Sequence, residues 1–217
     1  MYLFAHESFA ALARTLTADD WAAPTPCTPG WTVRDVLSHV AGVSDDVLAG
    51  RMDGAPGEAW TASQVERHRD RSVDGLLGQW AAQAPAFAEA LDAMEEARPP
   101  FDCHSHEHDV RHAIGRPGNR SNVIVERAGF GLASIGDIGM RVVLELDDGR
   151  VVESGDPAST DTVRLRGIGT FELFRSRLGR RSRSQVREYD WSGADDSIDA
   201  VVDRWFRFGP ATDPIIE

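Results

Sequence analysis

The sequence predicts an α+β protein in which an N-terminal four-helix bundle precedes a small C-terminal α/β domain. Three observations favour this class. Over the first ~115 residues, apolar side chains recur at helical spacing. After about residue 120, short strand-like runs alternate with short helical segments. The chain of 217 residues is 41% hydrophobic, enough for a core, yet no apolar run reaches the ~18 residues of a membrane helix. We place the two domains at residues 1–138 and 139–217.

Four helices are predicted for the bundle. The clearest start is Thr32-x-x-Asp35, a capping box before a stripe of valines, in a helix that ends at Gly50 or Gly54. Pro99-Pro100 is expected to separate the last two helices, and Gly75, Gly78 or Pro85 to kink or divide the third. The predicted helices cover residues 3–16, 33–50, 63–97 and 101–114.

The C-terminal domain is predicted from shorter signals. Asp147-Asp-Gly-Arg150 has the composition of a hairpin turn between two strands. The remaining segments alternate between apolar runs typical of strands and amphipathic runs typical of helices. We expect strands at 140–146, 151–153, 162–166 and 186–191, and helices at 123–138, 171–178 and 197–208.

Composition excludes several functions. The net charge of −12 argues against nucleic-acid binding and against binding to an anionic membrane. All 23 basic residues are arginine, so a Schiff-base lysine and a P-loop lysine are excluded. Two cysteines do not make a disulfide scaffold. The N-terminal segment mixes acidic and basic residues among apolar ones, unlike a signal peptide, so we expect a cytoplasmic protein. Nothing in the sequence indicates an oligomeric state.

Four of the seven histidines lie between positions 104 and 112. On a helical wheel of about 100° per residue, His106 falls in the middle of the apolar face, with Asp102 one turn earlier on the same face. His104, His108 and His112 fall off that face and are expected to face solvent.

A carboxylate and an imidazole spaced i, i+4 towards a core need a partner. A direct Asp102–His106 hydrogen bond satisfies them, and so does a shared divalent metal ion. For a metal, the best third ligand is His39, at the edge of the valine stripe of the second helix. His6 is a weaker candidate, and His68, in a charged run, is expected on the surface.

Two segments resemble a known family. Asp20–His39, with its Pro-rich loop and Thr-Val-Arg-Asp-Val-Leu-Ser-His ending, resembles the N-terminal signature of the mycothiol-dependent maleylpyruvate isomerase family, which belongs to the DinB-like metal-binding helical bundles. Phe101–Gly118 is similar to its second signature, and Phe171–Pro210 is loosely similar to the small α/β domain that these proteins append.

The resemblance implies a divalent metal ion, typically zinc, bound by His39, Asp102 and His106. The isomerase itself has glutamate where this chain has Asp102, so a different position of the ion and a different substrate are expected. The family's co-substrate is the low-molecular-weight thiol mycothiol, held as a thiolate that attacks an electrophilic small molecule. The implied function is a zinc-dependent thiol S-transferase or isomerase. A His2Asp ligand set also suits other divalent metals.

Other residues are candidates for roles beside the metal. Asp109 is predicted to orient His39 or His106, or else to pair with Arg111 or Arg34. Arg180, one of six arginines between positions 175 and 187, is predicted to bind a carboxylate of substrate or thiol, or else to lie on a solvated surface. Cys103 is expected to fill the core rather than to bind metal, and Trp31 to pack the Pro-rich loop on the bundle.

Two alternative functions remain open on the sequence. One is a metal-dependent hydrolase, in which the metal activates water and Asp109 or Glu107 acts as general base. The other is a non-enzymatic sensor or binding protein with a structural metal. A site with an exchangeable fourth ligand favours an enzyme, and a closed site favours a structural role.

Overall fold

The computed structural model describes residues 1–217, which divide into two compact units, Met1–Gly118 and Asn119–Glu217. The helical first unit and the mixed second unit confirm the α+β class. The division lies at 118/119 rather than at 138/139, because helix α7 (Val123–Leu132) packs against helix α8 (Thr170–Arg177) of the second unit. Gly129 permits this packing, since a Cβ there would lie 2.6 Å from the Thr170 carbonyl oxygen.

The first unit is a four-helix bundle with two additional short helices. Helices α1, α3, α5 and α6 form the bundle, in which α1 and α3 each pack against both α5 and α6. Phe9, Leu37, Trp80 and Phe87 are fully buried between them. The six helices are α1 (Tyr2–Ala13), α2 (Ala18–Ala22), α3 (Val33–Leu48), α4 (Glu58–Arg67), α5 (Val73–Ala93) and α6 (Arg98–Ala113).

Helix boundaries follow the local capping chemistry. Thr32 and Asp35 form the predicted capping box of α3. The helix predicted at 63–97 is divided, but earlier than at Gly75, Gly78 or Pro85: α4 ends before His68, and Ser72 caps a new helix by accepting from the Gly75 amide. Pro85 lies inside α5 without ending it. The two prolines expected as a break instead lie in the first turn of α6, where no amide donor is needed.

The second unit contains a four-stranded sheet and two further helices. The strands are β1 (Arg141–Leu146), β2 (Val151–Gly155), β3 (Thr162–Ile168) and β4 (Trp191–Ser192), and the later helices are α9 (Arg183–Arg187) and α10 (Asp195–Asp203). The strand order in the sheet is β2-β1-β3-β4. Strands β1 and β2 form the predicted antiparallel hairpin, β3 runs parallel to β1, and β4 is antiparallel to β3. The buried faces of β1 and β3 share a core with helix α10 and Trp205.

The strand predicted at 186–191 is wrong. Ser182 and Gln185 form a capping box that begins α9 in this segment, so only Trp191 of the predicted strand lies in a strand.

None of the ten helices in the two units combines the length and the apolar character needed to cross a membrane.

Candidate metal centre

Three side chains with metal-ligand chemistry meet between helices α3 and α6. His39 projects from α3, and Asp102 and His106 project from successive turns of α6. One potential ligand atom from each lies within 4.8 Å of the other two. The Nε2 atoms of His39 and His106 lie 3.4 and 3.5 Å from the two oxygens of Asp102. The structure therefore brings together the three residues predicted as ligands.

The tautomer of each histidine follows from the partner of its other ring nitrogen. Nδ1 of His106 lies 2.9 Å from a carboxylate oxygen of Asp109, which accepts, so Nδ1 donates. Nδ1 of His39 lies 2.7 Å from Oε1 of Gln64, an amide oxygen that also only accepts. In a neutral ring whose proton is on Nδ1, Nε2 has a free lone pair, and in both histidines this atom faces Asp102.

Two imidazole lone pairs and a carboxylate facing one another repel, unless a cation lies between them. A tetrahedral zinc ion holds nitrogen and oxygen ligands at about 2.0–2.2 Å, which puts the ligand atoms roughly 3.3–3.6 Å apart. The Nε2–oxygen distances of 3.4 and 3.5 Å, each to a different oxygen of Asp102, lie in this range. Hydrogen bonding of the outer ring nitrogens to protein acceptors is also the usual arrangement around metal-bound histidines. The residues present therefore fit a divalent metal ion.

The three side chains differ in exposure. The side chains of His39 and His106 are each 7% exposed, whereas that of Asp102 is 44% exposed. The helical wheel predicts a buried carboxylate at Asp102. The carboxylate instead lies at the open side of the cluster. Three protein donors and one accessible side suit a metal site that exchanges a fourth ligand.

Trp31 forms an aromatic wall beside both histidines. Its ring centroid lies 5.4 Å from that of His39 and 6.3 Å from that of His106, nearly parallel to the latter. The loop before α3 holds it there: the Thr25 amide donates to the Trp31 carbonyl at 2.9 Å. Gly30, at φ +88°, supplies the left-handed residue of this turn. The sequence pattern predicts only that Trp31 packs the loop, and it does not indicate the position of Trp31 at the cluster.

The other histidines correct several expectations. His104 and His108 are buried rather than solvent-facing, with their Nε2 atoms 3.3 Å apart. The wheel failed because every residue from Cys103 to Val110 is buried, so this stretch of α6 has no solvent face. His112 is half-buried.

Two histidines outside the cluster lie in the interior of the bundle. His68, expected on the surface, is buried, with Nδ1 3.1 Å from the Ser38 carbonyl oxygen. His6 packs edge-on against Trp80 at a centroid distance of 4.4 Å and is not part of the cluster.

Two further candidates beside the metal ligands have defined surroundings. Asp109 is fully buried and engages His106, while Arg111 pairs with Glu107 and Arg34 donates to the His68 carbonyl. Cys103 is buried and lies outside the ligand group. Burial, followed by the charges of Asp102 and Glu107, raises the pKa of its thiol well above the ordinary value.

Most of the arginines between 175 and 187 have structural partners within the second unit. Arg175 and Arg181 pair with the Glu217 carboxylate. Arg177 donates to four backbone carbonyls, including those of Leu132 and Ser134. Arg183 and Arg187 pair with aspartates of α10. Arg180 is half-buried and donates to the Leu178 carbonyl at 2.7 Å, so its proposed substrate role stays a prediction.

The fold and the cluster define a helical bundle with a candidate metal centre of two histidines and one aspartate, joined to a small α/β unit. Residues 3–112 match the family described as the mycothiol maleylpyruvate isomerase N-terminal domain. This match extends over half of the chain, which therefore belongs to that family.

Two curated relatives are uncharacterized proteins of Mycobacterium tuberculosis, from strains CDC 1551 / Oshkosh and H37Rv. Each is 35% identical to this chain over 89 residues, which is 41% of the chain. The alignment spans 42% of the length of each relative. No solved structure matches the chain at a significant level.

Proposed function

We propose that this protein is a cytoplasmic, metal-dependent enzyme that uses mycothiol as a nucleophile against an electrophilic small molecule, as an S-transferase or isomerase. The observation that carries the proposal is the convergence of the Nε2 lone pairs of His39 and His106 on the half-exposed Asp102 carboxylate. Membership of the family supports mycothiol as the thiol.

The chain supplies the ligand set, its orientation and its access. His39, Asp102 and His106 would hold the ion, and their nitrogen and oxygen donors suit zinc. A bound divalent cation would lower the pKa of a thiol at its open position and favour the thiolate. Asp109 keeps His106 in the tautomer whose Nε2 is a ligand atom, which makes it a positioning residue.

The surroundings favour a thiol over water as the nucleophile. A hydrolase needs a general base on the open side of the metal. Asp109 instead binds Nδ1 of His106, on the far side of the ring from Asp102. Glu107 is fully buried and engages His104 and Arg111. Trp31 adds an apolar wall beside both histidines, suited to the carbon skeleton of an organic electrophile.

Metal content tests the proposal first. We expect about one zinc ion per chain in protein purified without added metal, and a loss of zinc in His106→Ala, since three-ligand sites depend on each ligand. His112→Ala is the matched control, because His112 is a half-buried histidine of the same helix outside the ligand group. It should keep the metal.

Activity is then measured as mycothiol-dependent consumption of α,β-unsaturated carbonyl compounds by wild type and His106→Ala. Wild-type protein that binds no zinc, nickel, iron or manganese even after soaking would refute the metal-dependent function. Metal binding with consumption of electrophile that does not depend on a thiol would instead favour water as the nucleophile, as in the hydrolase alternative.

A further inference from the structure

A buried series of hydrogen-bonded side chains runs from His39, one of the three candidate ligands, through Gln64 of helix α4 to two arginines. His39 donates to Oε1 of Gln64, and Nε2 of Gln64 donates to Oδ2 of Asp46 at 2.9 Å. The other oxygen of Asp46 accepts from Arg51 Nε at 2.8 Å and from an Arg67 guanidinium nitrogen at 2.6 Å. Gln64 is fully buried and Asp46 is 1% exposed.

The hydrogen bonds between His39, Gln64 and Asp46 are all donated in the direction of Asp46. Burial alone would raise the pKa of Asp46, but hydrogen bonds from Gln64, Arg51 and Arg67 outweigh it and lower the pKa below its usual value. Asp46 is therefore an ionised acceptor, and the NH2 group of Gln64 must face it. The amide oxygen then faces His39, where it can only accept, which fixes the ring proton on Nδ1.

Helix α3 is shaped to admit Gln64. A Cβ built on Gly42 would lie 2.6 Å from Cβ and 2.8 Å from Cγ of Gln64. Glycine inside a helix costs roughly 1 kcal/mol relative to alanine. The sequence therefore has a poor helix former, Gly42, at the point of α3 that Gln64 of α4 approaches.

We propose that Gln64, oriented by Asp46, is a positioning residue that selects the Nδ1-protonated tautomer of His39 and thereby presents its Nε2 as a ligand for a divalent metal ion. The inference rests on the proposed function, since it assigns a role at the same site. Each histidine ligand then has its own orienting hydrogen bond: Gln64 orients His39, and Asp109 orients His106.

Asp46→Asn is the sharpest perturbation. Its side chain keeps the shape of aspartate, and its oxygen can still accept from Arg51 and Arg67. Its NH2 group then faces the NH2 group of Gln64, so the Gln64 amide has to turn over. The Gln64 nitrogen would then face Nδ1 of His39, which would have to become an acceptor and move the proton to Nε2. We expect zinc affinity to fall roughly 10- to 100-fold.

A second substitution restores His39 as the donor in its hydrogen bond to the side chain at position 64. When Asp46→Asn is combined with Gln64→Glu, the new amide NH2 group at position 46 donates to one oxygen of the new carboxylate at position 64. The other oxygen of that carboxylate accepts from His39 Nδ1. The negative charge has only moved from position 46 to position 64, so the double variant should recover zinc affinity to within a few-fold of wild type.

A control variant completes the comparison. Glu66→Gln, an exposed carboxylate-to-amide exchange on the same helix, is the control and should bind zinc like wild type.

Two readouts separate this role from general stability. The first is the His39 tautomer in metal-free protein, measured by nitrogen-15 NMR of the imidazole and assigned with His39→Gln. The second is the zinc dissociation constant from competition with a chelator. We expect Nδ1–H in wild type and Nε2–H in Asp46→Asn. An Nε2–H tautomer in wild type, or unchanged zinc affinity in a folded Asp46→Asn, would overturn the inference.

The tautomer in wild-type protein needs no variant, so the inference remains testable if Asp46→Asn does not fold. If wild-type protein binds no metal, the proposed function fails and the inference about ligand positioning fails with it. If wild type binds zinc and the double variant binds it no better than Asp46→Asn alone, only the positioning role of Gln64 is refuted.

Discussion

Gly42→Ala tests the close approach of helices α3 and α4. Non-bonded carbon atoms pack at about 3.5–4.0 Å, but the new methyl group would lie 2.6 Å from Gln64 Cβ. Because Cβ moves with the backbone, α4 must shift by roughly 1 Å. Alanine gains about 1 kcal/mol of helix propensity, and overpacking costs about 1–3 kcal/mol. We expect a net loss of about 0–2 kcal/mol in the free energy of unfolding.

The same shift affects the metal site. The His39–Gln64 hydrogen bond of 2.7 Å would lengthen to roughly 3.7 Å, beyond the range of such bonds. Zinc affinity should therefore fall about 10-fold or more. Stability is measured by urea unfolding in the presence of a chelator, and affinity by zinc competition.

Gly78→Ala in α5 is the matched control, because its Cβ would meet no atom within 4 Å. It should gain roughly 0.5–1 kcal/mol and leave zinc affinity unchanged. If Gly42→Ala stabilised the protein as Gly78→Ala does and bound zinc like wild type, the close contact between Gly42 and Gln64 would be refuted.

Two further predictions concern buried titratable groups. Burial lowers the pKa of His6 below its ordinary value of 6.5, so the unfolded chain takes up a proton first as the pH falls. The stabilising contribution is then complete above about pH 6.5 and is lost as the pH falls towards the folded-state pKa. The difference in unfolding free energy between wild type and His6→Leu, followed from about pH 8 to 5, should change in this direction, and a flat difference would contradict it. Because burial raises the pKa of Cys103, a Cys27→Ser variant should show no fast-reacting thiol towards a disulfide reagent until urea unfolds it. Rapid labelling of the native variant would show that Cys103 is accessible.

Local chemistry was the most predictable part of the fold. The capping box at Thr32 correctly gave the start of α3, and with it the orientation of His39. The i, i+4 spacing of Asp102 and His106 correctly placed both side chains on one face of α6. These features depend on residues within a few positions of one another, so the sequence alone determines them.

Burial was less predictable than helix position. The assumption that a helix has one apolar and one wet face predicts that His104 and His108 face solvent. It fails for α6, where polar residues on the other face are buried beside one another, and Nδ1 of His104 lies 3.2 Å from a carboxylate oxygen of Glu107. Hydrophobic periodicity cannot detect a buried polar face, because it records the side chain's polarity and not its partners.

Gln64 illustrates why positioning residues around a site are harder to find than its ligands. It is 25 positions from His39, on a helix whose start the apolar pattern did not give correctly, and one glutamine has no distinctive spacing. The signal that existed was indirect. Gly42 lies one turn after His39, in a helix that glycine destabilises locally. The absence of a side chain at Gly42 is explained only by the close approach of α4. A glycine inside an otherwise strong helix, one turn from a predicted ligand, therefore indicates that another element approaches the ligand there. In this protein that element carries the hydrogen-bond acceptor that the imidazole needs.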